Sequence, residues 1–114
     1  MRRTRVAAGL VFGLIVGVGV ALFAAEKAEH PSALFKQYCA KCHGEDGKAN
    51  TPKGSQLMAR DFTDSEFQSS KTDEQLIKTV TEGHEDMPPF GKKLTKEQIE
   101  SLVKNDVRGF APRK

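Results

Sequence analysis

The chain has 114 residues and a formal net charge of +3, a length that accommodates one small domain. Arg2, Arg3 and Arg5 account for the whole excess of positive charge, since the rest of the chain has 15 basic and 15 acidic residues. With no basic surplus in the part expected to fold, the composition argues against a nucleic-acid-binding protein.

The first 25 residues form a leader in which the three arginines precede Val6–Ala25, a stretch of 20 residues without a charge. A basic start, an apolar stretch and a polar chain from Glu26 onwards are typical of an export signal. Alanines near its end permit cleavage, but 20 apolar residues also suffice to span a bilayer, so an uncleaved anchor is the open alternative. In either case we expect the domain outside the cytoplasm, because the arginines favour the inner side.

The chain beyond residue 25 is poor in apolar side chains. Only 26 of its 89 residues are hydrophobic, and none of them is tryptophan. A domain of this size and composition usually needs a disulfide, a metal or another internal support. We therefore expect something other than side chains to help fill its centre.

Helical patterns dominate after a short polar linker over residues 26–31. Ser32 is the expected N-cap of the first helix, which runs into Cys39. Residues 44–54 are rich in Gly, Lys and Pro and predict a loop, and residues 61–67 predict a short helical turn.

Two further helices each begin with a capping-box pattern. Thr72–Gln75 begins the middle helix, which Gly83 is expected to end. A strap over residues 84–93, stiffened by two prolines, leads to the second box at Thr95–Gln98. The buried face of the last helix is predicted to consist of Ile99, Leu102, Val103 and Val107. No segment alternates like a strand, so the predicted fold is all-α, with three main helices and long connections.

The only two cysteines lie in the motif C-x-x-C-H formed by Cys39, Cys42 and His43, which is the attachment pattern of c-type haem. Two thiols at this spacing can add to the two vinyl groups on one edge of a porphyrin, and the histidine that follows can then bind the iron. A structural disulfide, a thioredoxin-like redox pair and a zinc site are the alternatives. The redox pair normally requires a strand followed by a helix, and zinc requires four ligands where the motif offers three.

The sixth iron ligand is expected from another segment of the chain. The candidates are Met58, Met87, His30 and His84. Met87 is favoured by its position in the strap, where Pro88 and Pro89 restrain the backbone and Phe90 is expected to pack on the haem edge. A thioether ligand raises the reduction potential of the iron relative to a second histidine.

On these residues the sequence resembles the small bacterial class I cytochromes c, which carry a single haem. The matching positions are Phe35, Cys39–His43, Gly44, Gly47, Pro52, Arg60–Phe62, Gly83, Met87–Pro88 and Thr95–Phe110. The resemblance implies a class I cytochrome c fold over residues 32–110, followed by a tail over residues 111–114. It also implies one haem c, attached through Cys39 and Cys42, with His43 and Met87 as axial ligands.

The resemblance also implies two contacts within the domain. The first and last helices of the family cross, so Phe35 should meet the face formed by Leu102 and Val103. A proline carbonyl in the loop after the motif accepts a hydrogen bond from the second ring nitrogen of the proximal histidine. Pro52 is the matching residue, and this bond would orient His43.

Asp106 departs from the family pattern, which usually has an aromatic residue at this point of the last helix. The position should border the packed face, where a buried carboxylate would be costly. We expect either that the helix is rotated locally, or that Asp106 reaches solvent or pairs with Arg108 or Arg113.

The function implied by the resemblance is that of a single-electron carrier, not an enzyme, in a periplasmic or membrane-associated respiratory chain. Its expected partners are redox proteins, namely a dehydrogenase, a quinol-oxidising complex or a terminal oxidase. An electron-transfer subunit of a larger oxidoreductase complex is the first alternative. A ligand-binding haem sensor or enzyme is the second, and it would need an open sixth position on the iron.

Overall fold

The computed structural model describes residues 9, 11, 13–15, 17, 19 and 29–113. Most of the predicted export signal or anchor over residues 1–25, and residues 26–28 of the linker over residues 26–31, lie outside the described residues. Among the residues that are described, no helix has both the length and the apolar character needed to cross a membrane.

Six α-helices and one helical extension make up the regular structure of the described chain. The α-helices are α1 (Ala33–Tyr38), α2 (Ala40–His43), α3 (Pro52–Leu57), α4 (Ser65–Ser70), α5 (Asp73–Glu82) and α6 (Lys96–Ser101). Helix α6 continues through a π-helical segment (Leu102–Val107) and a 3-10 turn (Arg108–Phe110). Within residues 29–113 there is no strand, only an isolated bridge between His84 and Met87. The all-α prediction is confirmed: α1 with α2, α5, and α6 with its extension form the three main segments.

The helices begin and end at the predicted capping residues. At the start of α1, the Ser32 hydroxyl accepts a hydrogen bond from the Phe35 N–H at 3.2 Å. Helices α5 and α6 each begin with a complete capping box, at Thr72 and Thr95. Each box satisfies two backbone groups that a helix start leaves without a partner. Helix α5 then ends at Gly83, as predicted.

The loop predicted over residues 44–54 is shorter than expected, because α3 begins within it at Pro52. Thr51 provides the N-cap, accepting a hydrogen bond from the Gly54 N–H at 2.8 Å. Proline suits the first helical position, where its missing N–H needs no partner. The turn predicted over residues 61–67 is displaced towards the C terminus, into α4.

One buried cluster joins the first and last helices. Phe35 of α1 is fully buried and belongs to the same cluster as Leu102 and Val103. The four residues of the predicted apolar face of the last helix are each at most 6% exposed. The other members of the cluster are Phe62, Leu76, Phe90 and Leu94. The expected packing of α1 against the last helix is therefore confirmed.

Asp106 lies in the π-helical segment with only 2% of its surface exposed. Its carboxylate accepts hydrogen bonds from the backbone N–H and the hydroxyl of Ser32, both at 2.7 Å. Arg108 instead pairs with Asp73 at 2.8 Å. The expectations that Asp106 reaches solvent or pairs with Arg108 or Arg113 are therefore wrong. The wider π-helical turn, which changes the direction in which side chains project, fits the expected local rotation.

Candidate functional site

The C-x-x-C-H motif forms the junction between α1 and α2. Cys39 lies between the two helices, and Cys42 and His43 are the last residues of α2. Both cysteines are half-buried and are not joined in a disulfide. Burial raises the pKa of the Cys39 thiol to about 12, with a further contribution from the charges of Asp106 and Cys42.

Helix α3 holds the end of the motif helix in place. The Thr51 hydroxyl donates to the Cys42 carbonyl oxygen at 2.8 Å and accepts from the Gly54 N–H at 2.8 Å. Gly54 is buried at this contact, and a Cβ atom there would overlap the Cys42 carbonyl oxygen. The two helices approach this closely only because residue 54 has no side chain. The contact restrains the peptide group that precedes His43.

The imidazole of His43 is oriented by the backbone of a later segment. Its Nδ1 donates to the Arg60 carbonyl oxygen at 3.0 Å, and the ring stacks on Phe62 with centroids 4.2 Å apart. Burial lowers the pKa of His43, and the bond to Arg60 opposes this shift in part. The ring is therefore neutral at pH 7, which is the form that binds a metal. With Nδ1 engaged, Nε2 is the nitrogen left for an iron ion.

The prediction that the Pro52 carbonyl orients His43 is wrong, because the Arg60 carbonyl makes that hydrogen bond. Pro52 is the first residue of α3, where carbonyl groups accept bonds from within the helix. The sequence marked Arg60–Phe62 as part of a family resemblance but assigned it no role. A backbone carbonyl has no side-chain pattern that could reveal such a role.

The strap after α5 brings Met87 to the same cleft as His43. At its start, His84 and Met87 exchange two backbone hydrogen bonds, of 3.1 and 2.9 Å. Further along, the Phe90 N–H donates to the Val80 carbonyl oxygen at 2.9 Å. The bond to Val80 attaches the strap to α5, and the two bonds between His84 and Met87 restrain the turn that bears the half-buried Met87 side chain.

Apolar walls enclose most of the cleft between the motif helix and the strap. The aromatic and aliphatic side chains that line it are Phe62, Phe67, Leu76, Val80, Val103 and Val107. In addition to His43 and Met87, the cleft is lined by the polar residues Arg60, Lys71, Thr79 and His84. Apolar walls with a small number of polar groups are typical of a cofactor pocket. Arg60, Phe62 and Lys71 are pocket residues that were not predicted from the sequence.

The other candidate ligands are divided between this cleft and other parts of the fold. Met58 is 85% exposed and lines a different groove, formed partly by α3. His30 donates from Nε2 to the Asp106 carbonyl oxygen at 3.1 Å, outside the cleft. His84 alone among them lines the cleft with Met87. Phe90 is buried in the core cluster and does not line the cleft, and its contact with a haem edge stays a prediction.

Cys39 and Cys42 do not line the cleft but directly precede His43 on the chain, and together with His43 and Met87 they fit a c-type haem. Two thiols lie within one helical turn of an imidazole whose Nε2 is available, and a thioether sulfur belongs to the same cleft. Cys39, Cys42, His43 and Met87 would hold the group. Across residues 29–113 and the described leader positions, no three His, Cys, Asp or Glu side chains are grouped so that they could hold a metal ion.

Comparison with known protein families gives a match over most of the chain. Residues 26–104 match the family described as cytochrome C oxidase, cbb3-type, subunit III. This region contains the motif, the strap and most of the last helix. A comparison with curated proteins finds no match.

Solved structures with a similar fold include three that share sequence with this chain. The KustC0563 c-type cytochrome is 45% identical with a TM-score of 0.65, over 69% of this chain and 94% of that chain. A mutant of Kustc0563 is 47% identical with a TM-score of 0.62, over 68% and 93%. A chain of the Kuenenia stuttgartiensis reducing HAO-like protein complex Kustc0457/Kustc0458 is 26% identical with a TM-score of 0.54, over 68% and 40%.

The family match and the structural matches agree with each other and with the helical fold around the motif. The family model covers more than half of the chain, and the KustC0563 cytochrome matches nearly its whole length. Covalently bound haem c and electron transfer are properties of this family. The chain belongs to the c-type cytochromes and is a small electron-transfer protein of that family.

Proposed function

We propose that this chain is a single-electron carrier with one haem c, attached through Cys39 and Cys42, whose iron is bound by His43 and Met87. The observation that supports this best is that the motif helix and the strap contribute His43 and Met87 to one cleft. An iron with both axial positions occupied by the protein has no free position for a substrate. Such ligation suits electron transfer and not catalysis.

When bound, the haem supplies a one-electron couple between ferric and ferrous iron. The residues of the chain determine the surroundings in which that couple operates. The hydrogen bond to the Arg60 carbonyl orients the His43 ring and makes its other nitrogen a stronger donor. The apolar walls exclude water, and the Met87 thioether raises the reduction potential relative to a second histidine.

The proposed location of the protein is the periplasm, where it would be part of a respiratory chain. The domain would be soluble if the leader is removed, and tethered to the inner membrane if residues 6–25 remain. The basic and apolar leader supports export in both cases. The proposed partners are redox proteins, such as a dehydrogenase, a quinol-oxidising complex or a terminal oxidase.

An electron-transfer subunit of a larger oxidoreductase complex is the second candidate. It is favoured by the similarity to a chain of the reducing HAO-like complex, of which only 40% is covered. The size of the native particle that contains this chain separates the two candidates. A haem protein no larger than about the 12.5 kDa of the full chain supports a free carrier. Comigration with a much larger enzyme supports a subunit.

The ligation is tested on the full chain produced with haem-maturation machinery. We expect the ferrous visible spectrum to be of the c type and to remain unchanged when carbon monoxide is added. A prompt shift would contradict ligation at both axial positions and favour a ligand-binding haem protein. In the ferric state, Met87→Ala should lose the long-wavelength band of a thioether-bound iron and have a lower reduction potential. Met58→Ala alters an exposed residue of another groove, so this variant should keep both the band and the wild-type reduction potential.

The attachment is tested separately by denaturing the protein and measuring how much haem remains on the chain. The wild type should retain all of it. Cys39→Ala and Cys42→Ala should each remove one thioether and reduce the yield of attached haem. If the combined variant retained covalent haem, these two residues would not be the attachment sites.

A further inference from the structure

The strap that carries Met87 also carries a second side chain able to bind iron, that of His84. The His84 N–H donates to the Met87 carbonyl oxygen at 3.1 Å, and the Met87 N–H donates back at 2.9 Å. Together the two residues form an isolated antiparallel bridge. Residues that exchange both bonds in this way project their side chains from the same face, with Cβ atoms about 5 Å apart. The imidazole and the thioether therefore leave the backbone on one side.

The turn that produces this pair is restrained by its backbone. Gly83, just before His84, has a φ of 78°, and a Cβ atom there would lie 2.8 Å from the Met87 carbonyl oxygen. Within the turn, Glu85 also has a positive φ, of 50°. Since the backbone is held at both ends of the pair, the two side chains stay on one side of the strap.

Both side chains also border the cleft that contains His43. The His84 side chain is 71% exposed, and its nearest carboxylate, that of Glu85, is 3.7 Å from Nε2. That separation is too long for a hydrogen bond, and an exposed pair of this kind contributes little energy. Little therefore holds the His84 ring at the mouth of the cleft, whereas the half-buried Met87 already lies against its walls.

We propose that His84 is an alternative sixth ligand of the haem iron, which binds when the Met87 thioether does not. The inference rests on the proposed ligation by His43 and Met87. In the exchange, one iron–sulfur coordinate bond breaks and one iron–nitrogen bond forms. The neutral imidazole binds through its lone pair, so no electron or proton is gained or lost.

The exchange would favour the ferric state, because the thioether is a soft ligand and the ferric ion is harder than the ferrous ion. Its consequence is that loss of Met87 from the iron, by thermal opening, would not expose an open coordination position. The protein would change to a state of lower reduction potential, since two histidines replace a histidine and a methionine. Added ligands would remain excluded.

The experiment compares holoproteins of the full chain at one neutral pH. The set comprises the wild type and the variants Met87→Ala, His84→Ala, Met87→Ala/His84→Ala and Met87→Ala/His30→Ala. Ferric visible and electron paramagnetic resonance spectra report the spin state and the axial ligands. The rate of carbon monoxide binding by the ferrous protein reports access to the iron.

We expect Met87→Ala to be low-spin with two nitrogen ligands, and the variant that also lacks His84 to be high-spin. Removal of His84 from that background should accelerate carbon monoxide binding by about tenfold or more, because the competing bound state is lost. His30→Ala in the same background should change nothing, since His30 is bonded to Asp106 outside the cleft. His84→Ala alone should keep the wild-type spectrum, which verifies that the strap still folds.

Two results would overturn the inference and leave the proposed function intact. One is a high-spin Met87→Ala that binds carbon monoxide as fast as the variant without His84. The other is a double variant that stays low-spin, which would assign the position to another side chain, such as Lys71 of the same cleft. A wild-type ferric spectrum without the thioether band would contradict the proposed function itself. This spectrum is recorded first, before any variant is compared.

Discussion

The carboxylate of Asp106 and the N-cap residue Ser32 are joined by two hydrogen bonds of 2.7 Å, one from the Ser32 backbone and one from its hydroxyl. Ser32 also accepts from the Phe35 N–H, which begins α1. A negative charge is favourable at a helix N-terminus, where backbone N–H groups lack partners. These bonds connect residues 74 positions apart and exist only when the first and last helices have packed. The start of α1 is thus stabilised by the end of the chain.

Asp106→Ala should lower the free energy of unfolding of the holoprotein by about 3 kcal/mol, because two hydrogen bonds to a buried charged group are lost. Ser32→Ala should cost less, since the backbone N–H of residue 32 can still donate. Urea unfolding followed by circular dichroism measures both. Lys104→Ala, at an exposed position of the same π-helical segment, is the matched control and should change stability by less than about 0.5 kcal/mol. Equal effects of the Asp106 and Lys104 substitutions would contradict the prediction.

Arg108 joins the C-terminal helix to the segment between α4 and α5. Its guanidinium donates to the carbonyl and side-chain oxygens of Gln68 at 2.7 and 2.9 Å, to the Lys71 carbonyl at 2.6 Å and to Asp73 at 2.8 Å. Arg108→Lys keeps the charge but cannot present these donors together, so we expect a loss of about 1–3 kcal/mol. Asp73→Ala removes one partly exposed acceptor and should cost less than about 1 kcal/mol.

Hydrogen exchange provides the local measurement for the Arg108 prediction. Amides of residues 68–72 should exchange faster in Arg108→Lys than in the wild type, because three of the acceptors belong to Gln68 and Lys71. Lys71 lines the cleft, so a looser segment would also loosen one wall of it. If Asp73→Ala were the more destabilising substitution, Arg108 would stabilise the fold mainly through its ion pair with Asp73 and not through its bonds to Gln68 and Lys71.

Gly54→Ala should disturb the contact between α2 and α3, because its Cβ atom would overlap the Cys42 carbonyl oxygen. We expect a destabilisation of about 1–3 kcal/mol from this overpacking, together with a lower yield of attached haem. Ser55→Ala is the control, since residue 55 is exposed on the same helix. Unfolding in urea and the amount of covalent haem per chain are the two measurements. A Gly54→Ala protein as stable as the control would show that α2 and α3 can separate without cost.

Local sequence determined the parts of this protein that depend on neighbouring residues. The C-x-x-C-H spacing indicated the chemistry, because two thiols and an imidazole on adjacent turns need no distant residue to come together. The capping boxes at Thr72 and Thr95 were predicted correctly, since a side chain and a backbone group three positions apart satisfy each other. The periodic apolar face of the last helix was predicted for the same reason.

Contacts between distant segments were decided only by the tertiary structure. The bond from His43 goes to the Arg60 carbonyl and not to Pro52, because every residue has a carbonyl and only the path of the chain selects one. Asp106 is buried because packing places the N-cap Ser32 beside it, which no pattern within the last helix could show. Sequence alone thus predicted which groups of this cytochrome would bind haem. The packing of helices and strap decided which of those groups share the cleft, since that depends on bonds between residues far apart in the chain.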